Sequence, residues 1–283
     1  MTEHTVTSAQ QSSTAGARKK FRVQDFAKNK QAGQKLTMLT AYDVVTARIF
    51  DAAGIDLILV GDSVGNNILG YESTIPVTLD EMVIATRSVA RGAQFAMVVA
   101  DLPFGTYEAS PRDAFLSAVR LMKEGHANAV KLEGGSRVAE HVKLLVNSGI
   151  PVVGHIGLTP QSENTLGGMR VQGRSDAAAE KLAQDALALQ EAGASAIVLE
   201  AMPASVAARI TEILAIPTIG IGAGKDVDGQ VLVWTDMAGM NEWSPSFVKQ
   251  FGQVGAALHN AATAYISEVR NVTFPDENHS FQK

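Results

Sequence analysis

Five ionisable residues, Asp62, Asp101, Glu133, His155 and Glu200, share one setting in the sequence. Each stands in or closes a short apolar run: LILVGD (57–62), MVVAD (97–101), AVKLE (129–133), VVGHIG (152–157) and AIVLE (196–200). Four of the five are carboxylates. Converging carboxylates repel, and a bound cation or a raised pKa on one of them relieves the repulsion. The 283 residues include no Cys and only six His, so the donors on offer are oxygens. Oxygen-only ligation favours Mg²⁺ or a similarly hard ion. Lys131 lies two residues before Glu133, and on a strand the two side chains point the same way. A metal, a lysine and a spare carboxylate suit enolate formation on a small, oxygen-rich anion.

Plainer roles compete for each residue. Asp62 alone reads equally well as the N-cap of a following helix. Lys131 and Glu133 suit a structural ion pair, since a lysine in an apolar run is costly to bury unpaired. His155 also fits a satisfied core histidine. The glycines of GIGAG (220–224) suit a phosphate cradle or a tight turn equally. Four acids at matched positions favour one shared site over four separate accidents. The chain contains no P-loop, dinucleotide fingerprint or zinc pattern.

The elements that would bring these residues together follow from a repeat. From Lys35 onward a helical stretch ends near Gly, an apolar run follows, and a polar residue closes it, as in AAGIDLILVGD (52–62) and EAGASAIVLE (191–200). Runs of four to six residues rich in Val and Ile suit strands buried on both faces. With Leu36–Ala41 before them and Gln230–Trp234 after them, the pattern predicts eight strands. The intervening segments carry helix starts. Thr78–Glu81 forms a capping box, Ser110-Pro111 an N-cap with Pro at N1, and Asp176 a cap for a helix burying Leu182, Ala186 and Leu189. Eight alternating units predict a closed (β/α)₈ barrel, an α/β fold whose chemistry sits at the C-terminal strand ends. Between Ile221 and Gln230 there is no room for a full helix. A last helical pattern runs from Pro245 to about Val269, after the final strand.

Composition bounds the rest. Apolar residues make up 46% and charged residues 19%, which is ordinary for a globular chain. Twenty-four Lys plus Arg against 29 Asp plus Glu leave a net charge of −5, a poor match to nucleic acid or an anionic membrane. No run approaches the ~20 apolar residues that span a bilayer. The first twenty residues hold one Val and no Leu, Ile or aromatic, and lack the apolar core of a secretory signal. They are expected to form a disordered tail, residues 21–283 a single barrel domain, and the location is expected to be cytoplasmic.

TAYD (40–43), LVGDS (59–63), ADLPF (100–104), VKLEGG (130–135), GHIGLTPQS (154–162), VLE (198–200) and IPTIGIGAG (216–224) resemble the ketopantoate hydroxymethyltransferase family. The resemblance runs from about Phe21 to PDENHSF (275–281). It departs at Ser246, where family members commonly carry Lys beside the Pro. It implies a Mg²⁺-dependent barrel of the phosphoenolpyruvate-utilising superfamily. Such enzymes move a one-carbon unit from 5,10-methylenetetrahydrofolate to 3-methyl-2-oxobutanoate, giving 2-dehydropantoate, the first committed step towards pantothenate and coenzyme A. It implies a homo-oligomer, typically a decamer. By motif, Asp62, Asp101 and Glu133 would hold the metal directly or through water. Asp62, Ser63, Asp101 and Lys131 would meet the oxoacid, Glu200 would be the general base, and His155 an accessory residue. Three rivals stand beside this reading: a Schiff-base aldolase using Lys131, a metal-dependent lyase of the same superfamily, and a barrel that binds a ligand without turnover.

Overall fold

The computed structural model describes residues 18–241 and 243–281. Eight parallel strands close into a barrel in chain order. They are β1 Leu36–Thr40, β2 Leu57–Val60, β3 Met97–Asp101, β4 Ala129–Glu133, β5 Val152–Gly157, β6 Ala196–Glu200, β7 Thr218–Ile221 and β8 Gly229–Leu232. The ring closes where Met38 on β1 pairs with Leu57 on β2 and with Val231 on β8. The helices are α1 Val23–Ala32, α2 Val44–Ala53, α3 Leu79–Gly92, α4 Pro111–Lys123, α5 Ala139–Asn147, the single turn α6 Glu163–Leu166, α7 Asp176–Glu191, α8 Ala204–Ile213, the short α9 Trp234–Met237 and α10 Val254–Arg270. The barrel expectation holds, including the absence of a helix between β7 and β8.

Side-chain alternation along each strand divides the apolar residues into two cores. Ile58, Val60, Val98, Ala100, Val130, Leu132, Ile197 and Leu199 face outward and pack against the helices. Leu36, Met38, Leu57, Leu59, Met97, Val99, Ala129, Val153, Val198, Ile219 and Val231 face inward and fill the lumen. The start signals act as expected at Thr78, whose hydroxyl accepts from Glu81 N, and at Ser110, which accepts from Asp113 N. At α7 the cap is Ser175 instead of Asp176. The Ser175 hydroxyl accepts from Ala178 N, and Asp176 becomes the first helical residue, where its charge meets the helix dipole.

The two chain ends differ from expectation. Residues 1–17 of the expected tail lie outside the described residues. Residues 18–20 are described, and Arg18 is attached: its guanidinium donates to the carbonyls of Asp51 and Ile55 and lies over the Phe95 ring, 5.2 Å from its centroid. The guanidinium thus sits at the C-terminal end of α2, where the helix dipole favours positive charge. At the other end the last helix starts at Val254, nine residues beyond Pro245. The preceding stretch folds back, and Phe251 N and Val254 N donate to the carbonyls of Met237 and Ala238. Those bonds hold the chain out of a helical ladder until Val254. No residue of α10 is buried.

Candidate active site

The inward rows continue beyond the apolar lumen into ionisable residues. Two positions past Val99 comes Asp101, past Ala129 come Lys131 and Glu133, past Val153 comes His155, and past Val198 comes Glu200. Strand register sets them side by side: Asp101 opposite Lys131, and Glu133 opposite His155. Lys131 Nζ lies 3.1 Å from Asp101 Oδ1 and 3.3 Å from His155 Nδ1. His155 bridges two strands, with Nδ1 3.4 Å from Glu133 Oε1 and Nε2 3.2 Å from Glu200 Oε2. All but Glu200 are almost wholly buried.

Asp62 and Ser63 lie past the end of β2, where alternation no longer fixes direction. Their placement comes from a glycine and from partners. A side chain at Gly61 would place its Cβ 2.7 Å from Ser63 Oγ, so any larger residue there would push the Ser63 hydroxyl from its place. Tyr42 OH is 2.8 Å from Ser63 Oγ. Asp62 N donates to Asp101 Oδ2 at 3.1 Å. Asp62 Oδ2 accepts from Gln161 Nε2 at 2.8 Å. Asp62 is therefore no helix cap: the π-helical turn that follows, Gly65–Leu69, has no side-chain cap. On the opposite wall, Gly157 at φ +99° brings the backbone against Glu200, where a Cβ would come within 2.2 Å of the Glu200 carbonyl oxygen. Ala201, directly after Glu200, sits at φ +46°, a left-handed conformation that costs about 1 kcal/mol outside glycine.

Four carboxylates thus face one lysine and one histidine, and burial magnifies each charge. Burial, followed by the charges of Asp101 and Glu133, lifts the Asp62 carboxyl well above the usual range. Burial also raises Asp101, against the opposing pull of Lys131. Burial disfavours the Lys131 ammonium, yet Asp101, Glu133 and Asp62 together outweigh it and raise its pKa. Burial and Lys131 oppose protonation of His155, but its contacts with Glu133 and Glu200 hold its pKa up at about 9. Glu133 is pushed up by burial, but His155 and Lys131 prevail and lower it.

A cavity of about 700 Å³ opens over this cluster at the C-terminal end of the barrel. Ser63, Asp101, Lys131 and Glu200 line it, together with Arg170, Ser246 and Phe247. Asp62, Glu133 and His155 stand behind that lining. A second cavity of about 310 Å³ lies outside the strands by Gly135 and α7 and holds none of these residues. Its acid, Asp185, is already engaged by Ser136 and Lys181.

The ketopantoate hydroxymethyltransferase family model matches residues 20–277, nearly the whole chain. The chain belongs to the ketopantoate hydroxymethyltransferase family. It is 57% identical over 270 residues to the 3-methyl-2-oxobutanoate hydroxymethyltransferase of Saccharopolyspora erythraea, covering 95% of this chain and 92% of that one. The enzyme of the same name from Mycobacterium tuberculosis is 53% identical over 282 residues, covering 99% and 100%. Among solved structures the fold is similar to phosphonopyruvate hydrolase in complex with oxalate and Mg²⁺, at TM-score 0.60 and 12% identity over 92% of this chain and 93% of that one. It is also similar to 2,3-dimethylmalate lyase, a PEP mutase/isocitrate lyase superfamily member, at TM-score 0.57 and 14% identity over 92% and 91%.

In this family member the expected residues come together, and three further ones appear among them. Gln161 and Tyr42 fall inside the motifs GHIGLTPQS and TAYD, and Tyr107 lies in the loop after β3. Nothing in their spacing flags them, because neutral polar residues in loops leave no periodic signal.

The donor set suits a hard divalent ion in one particular way. Among the described residues, no three His, Asp or Glu side chains converge to enclose an ion by themselves. Mg²⁺ does not require that, since it commonly keeps several waters and takes one or two carboxylates. Asp62 is anchored through Oδ2, and no hydrogen bond reaches its Oδ1 among the described residues; Asp101 is anchored through Oδ2 by Asp62 N, and its Oδ1 lies 3.1 Å from Lys131 Nζ, an ion pair that a bound cation would have to share. Both Glu133 oxygens have protein neighbours, His155 Nδ1 and Gln161 N. Glu133 therefore suits contact through water.

Proposed function

We propose that this chain transfers a hydroxymethyl group from 5,10-methylenetetrahydrofolate to 3-methyl-2-oxobutanoate, giving 2-dehydropantoate, and that the strand-end cluster is where it does so. The observation that carries the reading is the cavity wall of Ser63, Asp101, Lys131 and Glu200, backed by His155. A Mg²⁺ ion held by Asp62 and Asp101, with Glu133 reached through water, would polarise the oxoacid's oxygens. Lys131 offers a fixed positive charge to the substrate carboxylate, and Ser63 a hydroxyl held by Tyr42. Glu200 takes the proton from C3 of the oxoacid, and the C–H electron pair moves into the enolate. His155 keeps Glu200 aimed through Nε2. Water attacks the donor's methylene carbon and both C–N bonds break, which releases tetrahydrofolate and leaves the carbon as formaldehyde. The enolate carbon then bonds to that carbon, its C=O pair becomes an alkoxide, and the proton held by Glu200 converts it to the CH₂OH group on C3.

The Schiff-base rival is disfavoured because Lys131 is held as an ammonium, and a protonated amine is no nucleophile. Formation of 2-dehydropantoate, assayed with each of folate donor and Mg²⁺ omitted in turn, tests the reading. Full turnover in excess chelator would remove the metal from it.

The same proposal includes a homo-oligomer, a decamer in its full form. Supporting it, α10 exposes Leu258 (60%), Tyr265 (60%) and Ile266 with no partner face on its own barrel. Light scattering is expected to give a mass many times 29.9 kDa, and a monomer at working concentration would contradict it. A cytoplasmic location also belongs to the proposal. It is compatible with the described residues, where no helix is long and apolar enough to cross a membrane.

A further inference from the structure

Gln161 sits in a 3₁₀ turn, Pro160–Ser162, directly after β5, on a different loop from every acid of the site. It is 4% exposed, and all of its amide is used. Nε2 donates to Asp62 Oδ2 at 2.8 Å and to the Leu102 carbonyl at 2.9 Å. Oε1 accepts from Tyr107 OH at 2.6 Å. Its backbone N donates to Glu133 Oε2 at 3.1 Å. The amide cannot be turned over: the Leu102 carbonyl only accepts, so the nitrogen must face it and Asp62. Tyr107 OH accepts from Glu133 N at 3.2 Å, and its hydrogen faces two acceptors, Gln161 Oε1 at 2.6 Å and the Glu133 carbonyl at 3.2 Å, of which Gln161 is the closer. One buried residue therefore restrains a carboxylate in the turn after β2 and one on β4, and decides which oxygens stay available.

We infer that Gln161 is a positioning residue that commits Asp62 Oδ2 and Glu133 Oε2 to the protein and so sets the affinity of the site for a divalent ion. The inference rests on the reading of Asp62 and Asp101 as a divalent site. Residues that orient metal ligands typically change affinity by 10–100-fold when lost.

The test is calorimetric titration of Mg²⁺ and Mn²⁺ into the full-length protein, as wild type, Gln161→Met and Tyr107→Phe, with melting of each ion-free protein alongside. Gln161→Met keeps the length of the side chain and removes both donors. It should bind either ion about 10–100-fold more weakly, and Tyr107→Phe should weaken binding in the same direction by a smaller factor. At saturating ion, kcat of Gln161→Met should return to within about threefold of wild type, which a general loss of structure would not allow. Unchanged affinity in Gln161→Met overturns the inference, as does lost kcat that saturating ion fails to restore. If Gln161→Met does not fold, Tyr107→Phe decides, and affinity equal to wild type overturns it. A wild-type protein that takes up no divalent ion overturns the reading of the site itself. Wild-type binding with unaltered variants overturns only the role of Gln161.

Discussion

The same eight strands end in opposite chemistry at the two ends of the barrel. At the N-terminal end the lumen holds Leu36, Leu57, Met97, Ala129 and Ala196, closed from below by Phe26 of α1, which is 1% exposed and meets Phe21 edge-on. At the C-terminal end the same inward rows carry Asp101, Lys131, Glu133, His155 and Glu200. The change takes one pleat, two residues, on each of these strands. Carbon packing at the floor stabilises the fold directly. Buried ions at the mouth contribute little or cost stability, because desolvation offsets their attraction. The difference teaches a division of labour. The floor holds the strands in register, and that register forces unfavourable charges into contact where substrate can reach them.

If that division is real, changes at the mouth should alter chemistry with little effect on folding. Glu200→Gln should give the largest effect. Gln keeps the shape and the contact with His155 but cannot accept a proton. Turnover and the exchange of the C3 hydrogen of 3-methyl-2-oxobutanoate in D₂O should both fall by on the order of 10²–10⁴. Melting temperature and oxoacid affinity should stay close to wild type. Persistent exchange with lost turnover would move Glu200 to a later step.

Changes at the floor should do the reverse. Phe26→Ala empties the plug beneath the lumen and should cost about 3–5 kcal/mol of stability, read from denaturant unfolding. The folded fraction should keep kcat within a few fold. A large kcat loss at full folding would show that the two ends are coupled.

How much of this was legible in the sequence also differs between the ends. The mouth announced itself: strand ends carry charges that an apolar run would otherwise exclude, so Asp101, Glu133 and Glu200 stood out by position alone. The barrel followed from the repeat. What stayed hidden depends on tertiary contact. Gln161 and Tyr107 act by meeting each other across 54 residues of chain. Ser175 outcompeted Asp176 as a cap because the choice turns on one residue's backbone angle. The start of α10 at Val254 was set by hydrogen bonds to Met237 and Ala238, which no local periodicity encodes. Arg18 looked like part of a polar tail, and only the packed carbonyls of Asp51 and Ile55 give it a place.

A third change sharpens the contrast by making the mouth more stable. Asp62 has a raised carboxyl pKa because of burial and the neighbouring charges of Asp101 and Glu133. A carboxylate raised in the folded state holds its proton more tightly there than in the unfolded chain. Folding is therefore unpenalised below the ordinary carboxylate pKa and loses stability as pH rises from there towards the folded pKa. In excess chelator, wild-type protein should lose stability across that window. Asp62→Asn should flatten the slope and be more stable than wild type near neutral pH. Melting curves against pH, with chelator present, check both. An unchanged slope would mean that the acids at the mouth do not strain the ion-free fold.

The smallest expected effect lies at the floor, where the described chain begins. Asp51 accepts from the backbone N–H groups of Gln94, Phe95 and Ala96 and so pins the loop entering β3 to the end of α2. Arg18 joins that point from outside, with its guanidinium 3.8 Å from Asp51 Oδ1 and over Phe95. The Arg18 side chain is 33% exposed, so solvent screens the charge and the ion pair alone is worth little. Its bonds to two carbonyls and its packing on the ring remain, and together they should be worth about 1 kcal/mol. Arg18→Ala should therefore lower the melting temperature by roughly 2–4 °C. Removing residues 2–17, whose composition offers almost nothing to bury, should leave it unchanged. Neither change should move kcat, because among the described residues Arg18 touches only the end of α2, Ile55 and the approach to β3. If removal of residues 2–17 destabilises the protein as much as Arg18→Ala, the floor extends further towards the N-terminus than Arg18. If neither does, the register of the strands is held by the lumen and Phe26 alone.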